Sequence, residues 1–594
     1  MCGIFGYVGA RTNAAEIVLE GLKALEYRGY DSWGVAVIPS NSRPGLERIA
    51  FKKKAGKIGD ATVEDIPTSS LALGHTRWAT HGGVTDTNAH PHLDCTGTIA
   101  VVHNGIFENY DKIKKQLVKK GHRFISETDT EVIAHLIEEE VKRIPFPQTV
   151  RRVFKKMEGL SAFIAIKANE RVLVAVRNGS PLVVGLGTGE NFLASDPAAV
   201  LPYTKRVYFL EDNQMAVVND SAVHIYDAKT GSEVRPSWQK LSWSPAQAEK
   251  GTFPFYMLKE IHEQPGLVAE IATTGTERAQ RLSRRIRAAF GSYLIGCGTA
   301  DYACIAGSYL FSKIAKYHIN WAVASEFGYH EDFLTKKSLV IALSQSGETM
   351  DIIESVKKAK ARGATLAALV NVAGSTLYRL AEEKILLGAG PEKSVASTKA
   401  FTSMIAILIL VAYALAGNQK EGSVQFLRAS RSAKKLVTPV MIKRFRTLAK
   451  QLFSVDHIYI IGRGLSYPAS LEAALKIKEI SYIHAEGFAA GELKHGVIAL
   501  ITKGTPCIVF APNDETYSDN LSGAMEMKAR GGRIIGISFK PSEVFDEYIP
   551  VSDAGEATII PNVIVAQLLA YYLATERGLD PDMPRNLAKS VTVR

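Results

Sequence analysis

Cys2 stands directly behind Met1, a position that gives a thiol an uncommon option. Once Met1 is removed, Cys2 carries both a nucleophilic sulfur and a free α-amine, whose pKa of about 8 lets it act as a base near neutrality. One residue then supplies nucleophile and base together, as an N-terminal threonine does. Position alone favours the plainer reading, a small residue leading into a first strand over residues 4–8. A second signature is Ser344-Gln345-Ser346-Gly347-Glu348-Thr349. It offers three hydroxyls, a glycine and a following helix start, whose backbone N–H groups and dipole suit a phosphate. The same residues would also serve as a well-capped helix start. Lys476 and Glu479 in "ALKIKEIS" fall three apart on one helix face, the spacing of an ordinary surface ion pair.

Other chemistries find little support. The five cysteines, Cys2, Cys95, Cys297, Cys304 and Cys507, are odd in number and widely spaced, with no C-x-x-C. That pattern argues against a disulfide framework or a zinc site, so neither a metal nor a cofactor is expected. Net charge is +11, yet no basic block with interleaved aromatics suggests nucleic acid. No charged-then-apolar leader opens the chain. The longest apolar run, residues 404–416, is too short for a bilayer and reads as a buried helix. A soluble cytoplasmic protein with no membrane partner is expected.

The elements that must position these groups fall into two textures across the 594 residues. Residues 2–220 are rich in short strands and glycine turns, with helical period in "ENYDKIKKQLVKKG" and "TDTEVIAHLIEEEVKRI", an α+β domain. Residues 221–252 read as a linker region, ending in the aperiodic "SWSPAQAEKGT". Then βα alternation begins and repeats. Gly296 and Gly298 map onto Gly462 and Gly464, 166 residues on, and "KARG" at 360–363 maps onto "KARG" at 528–531, 168 residues on. Two offsets this close imply a duplicated doubly wound α/β domain, over 253–430 and 431–580, with a tail at 581–594. The second copy replaces the hydroxyl-rich loop with Pro512-Asn513-Asp514-Glu515, whose carboxylates would repel phosphate. A single phosphate site, in the first copy, is expected.

Taken together, "CGIFGYVG", "LEYRGYDSWGVAV", "GHTRWATHG", "NAHPH", "VHNGIFENY" and "ETDTEV" resemble a class II (N-terminal nucleophile) glutamine amidotransferase domain. "CGT", "SQSGET", "VASTKAF", "ALKIKEISYIHAE", "GELKHG" and "NLAKSVTV" resemble paired sugar isomerase (SIS) domains. Their order on one chain resembles the glutamine–fructose-6-phosphate aminotransferase (isomerizing) family, and the resemblance runs from Cys2 to Lys589.

The resemblance implies a fold: an α+β N-terminal nucleophile domain followed by two doubly wound α/β domains. It implies that Cys2 attacks the glutamine amide, that Asn104 and Gly105 form the oxyanion hole, and that Arg77, Thr80, His81 and Asp129 hold glutamine. Trp78 would gate the ammonia path. Fructose 6-phosphate would sit on Thr299, Ser344, Gln345, Ser346, Thr349 and Ser397. Lys589 would form an imine with the ketose, Glu479 would move the proton beside Lys476, and His495, supplied by the neighbouring subunit of a homodimer, would open the ring. The implied product is glucosamine 6-phosphate, the first step of amino-sugar synthesis. Ala300 stands where the family usually has serine, Gly328 and His330 where it has arginines, Lys393-Ser394 where it has Ile-Gly, Val497 where it has proline, and Arg594 where it has an acid. Three alternatives stay open: another class II amidotransferase, such as one serving phosphoribosyl pyrophosphate; a SIS-type aminotransferase on a different phosphosugar; and a non-catalytic phosphosugar-binding regulator.

Overall fold

The computed structural model describes residues 2–40, 47–241 and 249–591. Met1, most of the aperiodic linker stretch (242–248) and Arg594 lie outside the described residues. The chain divides into two units, Met1–Glu249 with Ala588–Arg594, and Lys250–Leu587.

In the first unit an eight-stranded and a seven-stranded sheet stack face to face. The first strand, Gly3–Gly9, shows why. Successive side chains point to opposite faces, so Ile4 and Val8 turn toward the second sheet while Phe5 and Tyr7 turn outward under the Ala14–Leu25 helix. Both faces are covered, and the whole strand is buried. On the far side, the Thr130–Val141 and Phe146–Phe154 helices cover the outer face of the seven-stranded sheet. The layers therefore run helix, sheet, sheet, helix, an α+β arrangement. Residues 221–241 are not linker. Val223–Asp227 and Glu233–Val234 extend one sheet and Gln239–Lys240 pairs onto the edge of the other, because unpaired edge strands find partners there.

The second unit holds two five-stranded sheets, each wholly parallel. In space the first runs Asn320–Val323, Gly291–Gly296, Ser338–Ser344, Thr365–Val370, Glu383–Leu386. The second runs His484–Ala489, His457–Gly462, Pro506–Ala511, Arg533–Ser538, Glu547–Pro550. Both have the strand order 2-1-3-4-5, the doubly wound topology expected of the duplicated repeat. The 430/431 boundary falls inside the Gln419–Leu436 helix, so the copies share packing rather than being strung apart. Two helices, Lys399–Ala416 and Gly555–Glu576, are long and apolar enough to cross a membrane. They are 89% and 100% buried within the unit, which explains their all-round apolar composition without a bilayer.

Candidate active site

Strand register builds the first site. Gly3 pairs with Thr76 on the antiparallel strand Leu71–Arg77, so Cys2 arrives beside Arg77 and Trp78. The Trp78 N–H donates to Cys2 Sγ at 3.2 Å, and the thiol faces the Trp78 carbonyl at 3.5 Å. From the other sheet, strand Ile99–Gly105 ends with Asn104, whose Nδ2 donates to the Cys2 carbonyl at 2.9 Å. Gly105 follows at φ +128°, a left-handed backbone where an added Cβ would strike the Leu160 carbonyl oxygen. Only glycine can turn its N–H this way at this point.

A pocket opens over Cys2. Arg77, Trp78, Thr80, His81, Asn104, Gly105 and Asp129 line it, which unites every residue expected for the glutamine half. Arg77 is buried, and its guanidinium donates to the carbonyls of His81, Gly82 and Gly83. Burial pulls its pKa down, and the nearby Cys2, Asp31 and Asp129 oppose the shift. Asp129 precedes the Thr130–Val141 helix and accepts the Phe107 N–H at 2.8 Å. Burial pushes the Cys2 thiol up, while the Trp78 N–H and Arg77 pull it down.

The pocket also contains residues that sequence reasoning missed: His90, His103, Thr128 and Thr130. Behind them stands His75. Its Nε2 reaches the His103 carbonyl at 3.0 Å and Asn104 Oδ1 at 3.1 Å. A carbonyl can only accept, so Nε2 carries the proton. That contact turns the amide oxygen of Asn104 away from the pocket and leaves Nδ2 facing Cys2. Burial holds His75 neutral, with its pKa lowered to about 3. His90 stacks on it at 4.1 Å. The signal for His75 was available: it lies two residues before Arg77 on one strand, hence on the same face.

The second site lies at the carboxyl edge of the first parallel sheet. Ser344 ends one strand and Thr299 opens the helix after its neighbour. These loops flank the point where the strand order reverses, the usual ligand crevice of such sheets. Ser344 Oγ accepts the Gly347 N–H at 3.0 Å and lies 3.2 Å from Thr349 Oγ1, and Ser346 Oγ accepts the Glu348 N–H at 3.1 Å. The loop is thus closed on its own hydroxyls, with Gln345 half-buried between them. Ser397 donates to Glu392 at 3.1 Å, and the same carboxylate accepts the Thr398 and Ala400 N–H groups at the start of the Lys399–Ala416 helix.

Lys476 corrects the expected surface pair. It is fully buried on the Ser466–Ser481 helix, 2.5 Å from Glu479 and 3.6 Å from Glu472. The Ile559–Glu576 helix packs against that helix and excludes water from it. One ammonium balances one carboxylate. The other, Glu472, is fully buried and its pKa rises to about 8 through burial. Thr299 Oγ1 donates to Glu472 across the two copies at 3.4 Å. Glu472 was missed, although Glu472, Lys476 and Glu479 follow the i, i+4, i+7 period of one helix face. His495 is exposed at the end of a short turn, Ala490–His495. Lys589 is half-buried and groups with the first unit rather than with the hydroxyl loop.

The second copy has its own crevice of about 290 Å³, lined by Leu465, Ser466, Asn513, Asp514, Glu515 and Lys313, among others. Lys313 pairs with Glu515 at 2.9 Å. Carboxylates occupy the place where the first copy has hydroxyls.

Comparison with known proteins bears on both halves. Residues 75–202 match a family described as glutamine amidotransferase domain, and residues 289–414 and 451–577 each match the SIS domain family. A Thermus thermophilus protein named glutamine–fructose-6-phosphate aminotransferase (isomerizing) is 43% identical, with 100% of both chains covered. A Pyrococcus horikoshii protein of the same name is 42% identical, again over 100% of both. Among solved structures, the C-terminal domain of glucosamine-fructose-6-phosphate aminotransferase from Francisella tularensis superimposes with a TM-score of 0.51 at 31% identity. It covers 57% of this chain and 99% of its own.

Proposed function

We propose a division of labour for this chain, which belongs to the glutamine–fructose-6-phosphate aminotransferase (isomerizing) family. The chain is an enzyme that transfers the amide nitrogen of glutamine to fructose 6-phosphate, isomerises the product to glucosamine 6-phosphate and releases glutamate.

In the first half, loss of Met1 frees the Cys2 α-amine to take the thiol proton. The thiolate attacks the side-chain amide carbon of glutamine. Negative charge develops on the amide oxygen, and preorganised donors lower its energy. Asn104 Nδ2, turned toward Cys2 by His75, and the Gly105 N–H are those donors. The α-ammonium returns the proton to the leaving nitrogen, ammonia departs past Trp78, and water cleaves the thioester to glutamate. Arg77 pairs the α-carboxylate of glutamine in bidentate fashion, and Asp129 pairs the ammonium. Thr80 and His81 close the pocket. The gathering of Arg77, Trp78, Thr80, His81, Asn104, Gly105 and Asp129 around the Cys2 thiol is the observation that carries the reading.

In the second half, Ser344, Gln345, Ser346 and Thr349 hold the sugar phosphate, with Thr299 and Ser397 on its hydroxyls. His495 of a neighbouring subunit opens the ring, so the working form is a homodimer. Lys589 forms an imine at C2, ammonia displaces it, and Glu479 carries a proton from C1 to C2. Lys476 steadies the Glu479 carboxylate from its buried side. A cytoplasmic setting completes the proposal.

The test is one incubation with glutamine and fructose 6-phosphate in which glutamate and glucosamine 6-phosphate are measured together. Equal amounts are expected. Cys2→Ala should abolish glutamate release and leave sugar isomerisation intact. Surviving glutaminase activity would remove Cys2 from the mechanism, and glutamate without amino sugar would redirect the second half to another phosphosugar.

A further inference from the structure

We propose that Cys95, His122, His135 and Glu138 form a four-coordinate site for a divalent ion of the zinc class. The site shares no residue with the Cys2 pocket. The odd number and wide spacing of the cysteines, with no C-x-x-C, argued against a zinc site. The fold overrides that expectation by bringing three segments together: the loop after His92–Leu93, the turn behind the Tyr110–Lys119 helix, and the Thr130–Val141 helix.

One donor atom from each residue lies within 4.8 Å of all the others. Cys95 Sγ is 3.5 Å from His135 Nδ1 and 3.8 Å from His122 Nδ1. The two Nδ1 atoms are 3.4 Å apart. Glu138 Oε2 is 3.1 Å from His122 Nδ1 and 3.3 Å from His135 Nδ1. A tetrahedral zinc ion, about 2.0–2.1 Å from nitrogen or oxygen and about 2.3 Å from sulfur, requires edges of roughly 3.3 Å and roughly 3.6 Å. Five of the six observed spacings fall around those two values, and the sixth, Cys95 Sγ to the Glu138 carboxylate, lies within 4.8 Å, so the thiol and carboxylate close on each other when the ion binds.

The surroundings are those of a ligand set. His135 Nε2 faces Glu131 at 3.5 Å, and His122 Nε2 faces Glu139 at 3.5 Å. With a slight approach, these carboxylates would accept the Nε2 protons and leave Nδ1 as the lone-pair nitrogen. The Arg123 N–H donates to Cys95 Sγ at 3.4 Å. Two imidazoles, one thiolate and one carboxylate suit zinc rather than magnesium or calcium, and with a dication the site is charge-neutral. Binding sends the thiol proton to solvent, so affinity falls as pH falls. His122, His135 and Glu138 are buried while Cys95 is exposed, which leaves an entry path.

The ion would tie down the helix that begins directly after Asp129. Glu131 on that helix already accepts the Ile125 and Ser126 N–H groups, at 2.8 and 2.7 Å. A consequence for glutamine binding rests on the Asp129 assignment above; the ion site does not.

The full chain carrying Cys2→Ser, stripped by chelation, would be titrated with Co²⁺ alone and then Zn²⁺ alone. One equivalent of cobalt should give the intense visible absorption of four-coordinate Co²⁺ and a thiolate charge-transfer band, both bleached by one equivalent of zinc. Zinc should also raise the melting temperature. His135→Gln should weaken binding at least 10-fold. Cys95→Ser should abolish the charge-transfer band, and its exposed position lets it decide the question even if His135→Gln fails to fold. Absence of the spectrum at stoichiometric cobalt, a weak six-coordinate spectrum, or a charge-transfer band that survives Cys95→Ser would overturn the site.

Discussion

The two α/β copies repeat one architecture and use it differently. Each has the same strand order, and the backbone repeats as well: Gly298 and Gly464 take φ of +55° and +58°, Gly363 and Gly531 of +88° and +89°. Both copies therefore open a crevice at the same topological point. The first lines it with Ser344, Ser346 and Thr349 around a closed loop. The second lines it with Asp514 and Glu515, the latter held by Lys313. Its buried charges lie instead on the helix after its first strand, where Lys476 sits between two carboxylates. Topology supplies a place for a ligand; the side chains at that place decide whether an anion can enter.

The largest expected effect tests the second copy as the source of chemistry. Glu479→Gln should lower glucosamine 6-phosphate formation by about 10²–10⁴-fold, the usual range for a lost proton-transfer group, with glutaminase activity retained. A loss below 10-fold would make this helix purely structural. Next, Ser344→Ala with Thr349→Ala should raise KM for fructose 6-phosphate by roughly 10- to 100-fold, as expected when hydrogen bonds to a charged group are removed. Steady-state kinetics with kcat little changed would confirm a binding role.

A smaller effect concerns pH. Burial pushes the Glu472 carboxyl up from the ordinary glutamate value of 4.5 to about 8 in the folded chain. The folded state therefore keeps a proton that the unfolded state releases, and stability falls as pH rises from about 5 to 8. Glu472→Gln should flatten that fall, by up to about 1.4 kcal/mol per pH unit, read from melting curves across the window. Melting curves of variant and parent with equal pH slopes would place the proton elsewhere. The smallest effect is expected in the second crevice. Asp514→Asn with Glu515→Gln should leave KM for fructose 6-phosphate within about twofold, and should cost less than about 1 kcal/mol for the partly exposed ion pair with Lys313. A large rise in KM would mean that both crevices handle sugar phosphate.

Much of this was legible in the sequence because it is local. The repeat offsets of 166 and 168 residues, the "SQSGET" loop and the "GHTRWATHG" and "HNG" runs each place their residues within a few positions of one another. What was misread depends on distant segments. Lys476 has the spacing of a surface pair, and only the packing of the Ile559–Glu576 helix makes it a buried charge. Residues 221–241 lack strong strand signals, and their pairing to sheet edges comes from strands far away in the chain. His75 acts on Asn104 across 29 positions, through a contact between two sheets.

By itself, the sequence determined the order of domains, the duplication, the place of Cys2 ahead of the first strand and the hydroxyl-rich loop ahead of a helix, because backbone turns, helix starts and strand alternation are short-range consequences of residue type. Only the tertiary structure decided which groups lose water and which converge. Cys95, His122, His135 and Glu138 illustrate the second kind. Their donor atoms meet because three separate segments pack on one sheet edge, and a charge or a ligand acquires its chemistry from the neighbours that packing brings and the water it removes.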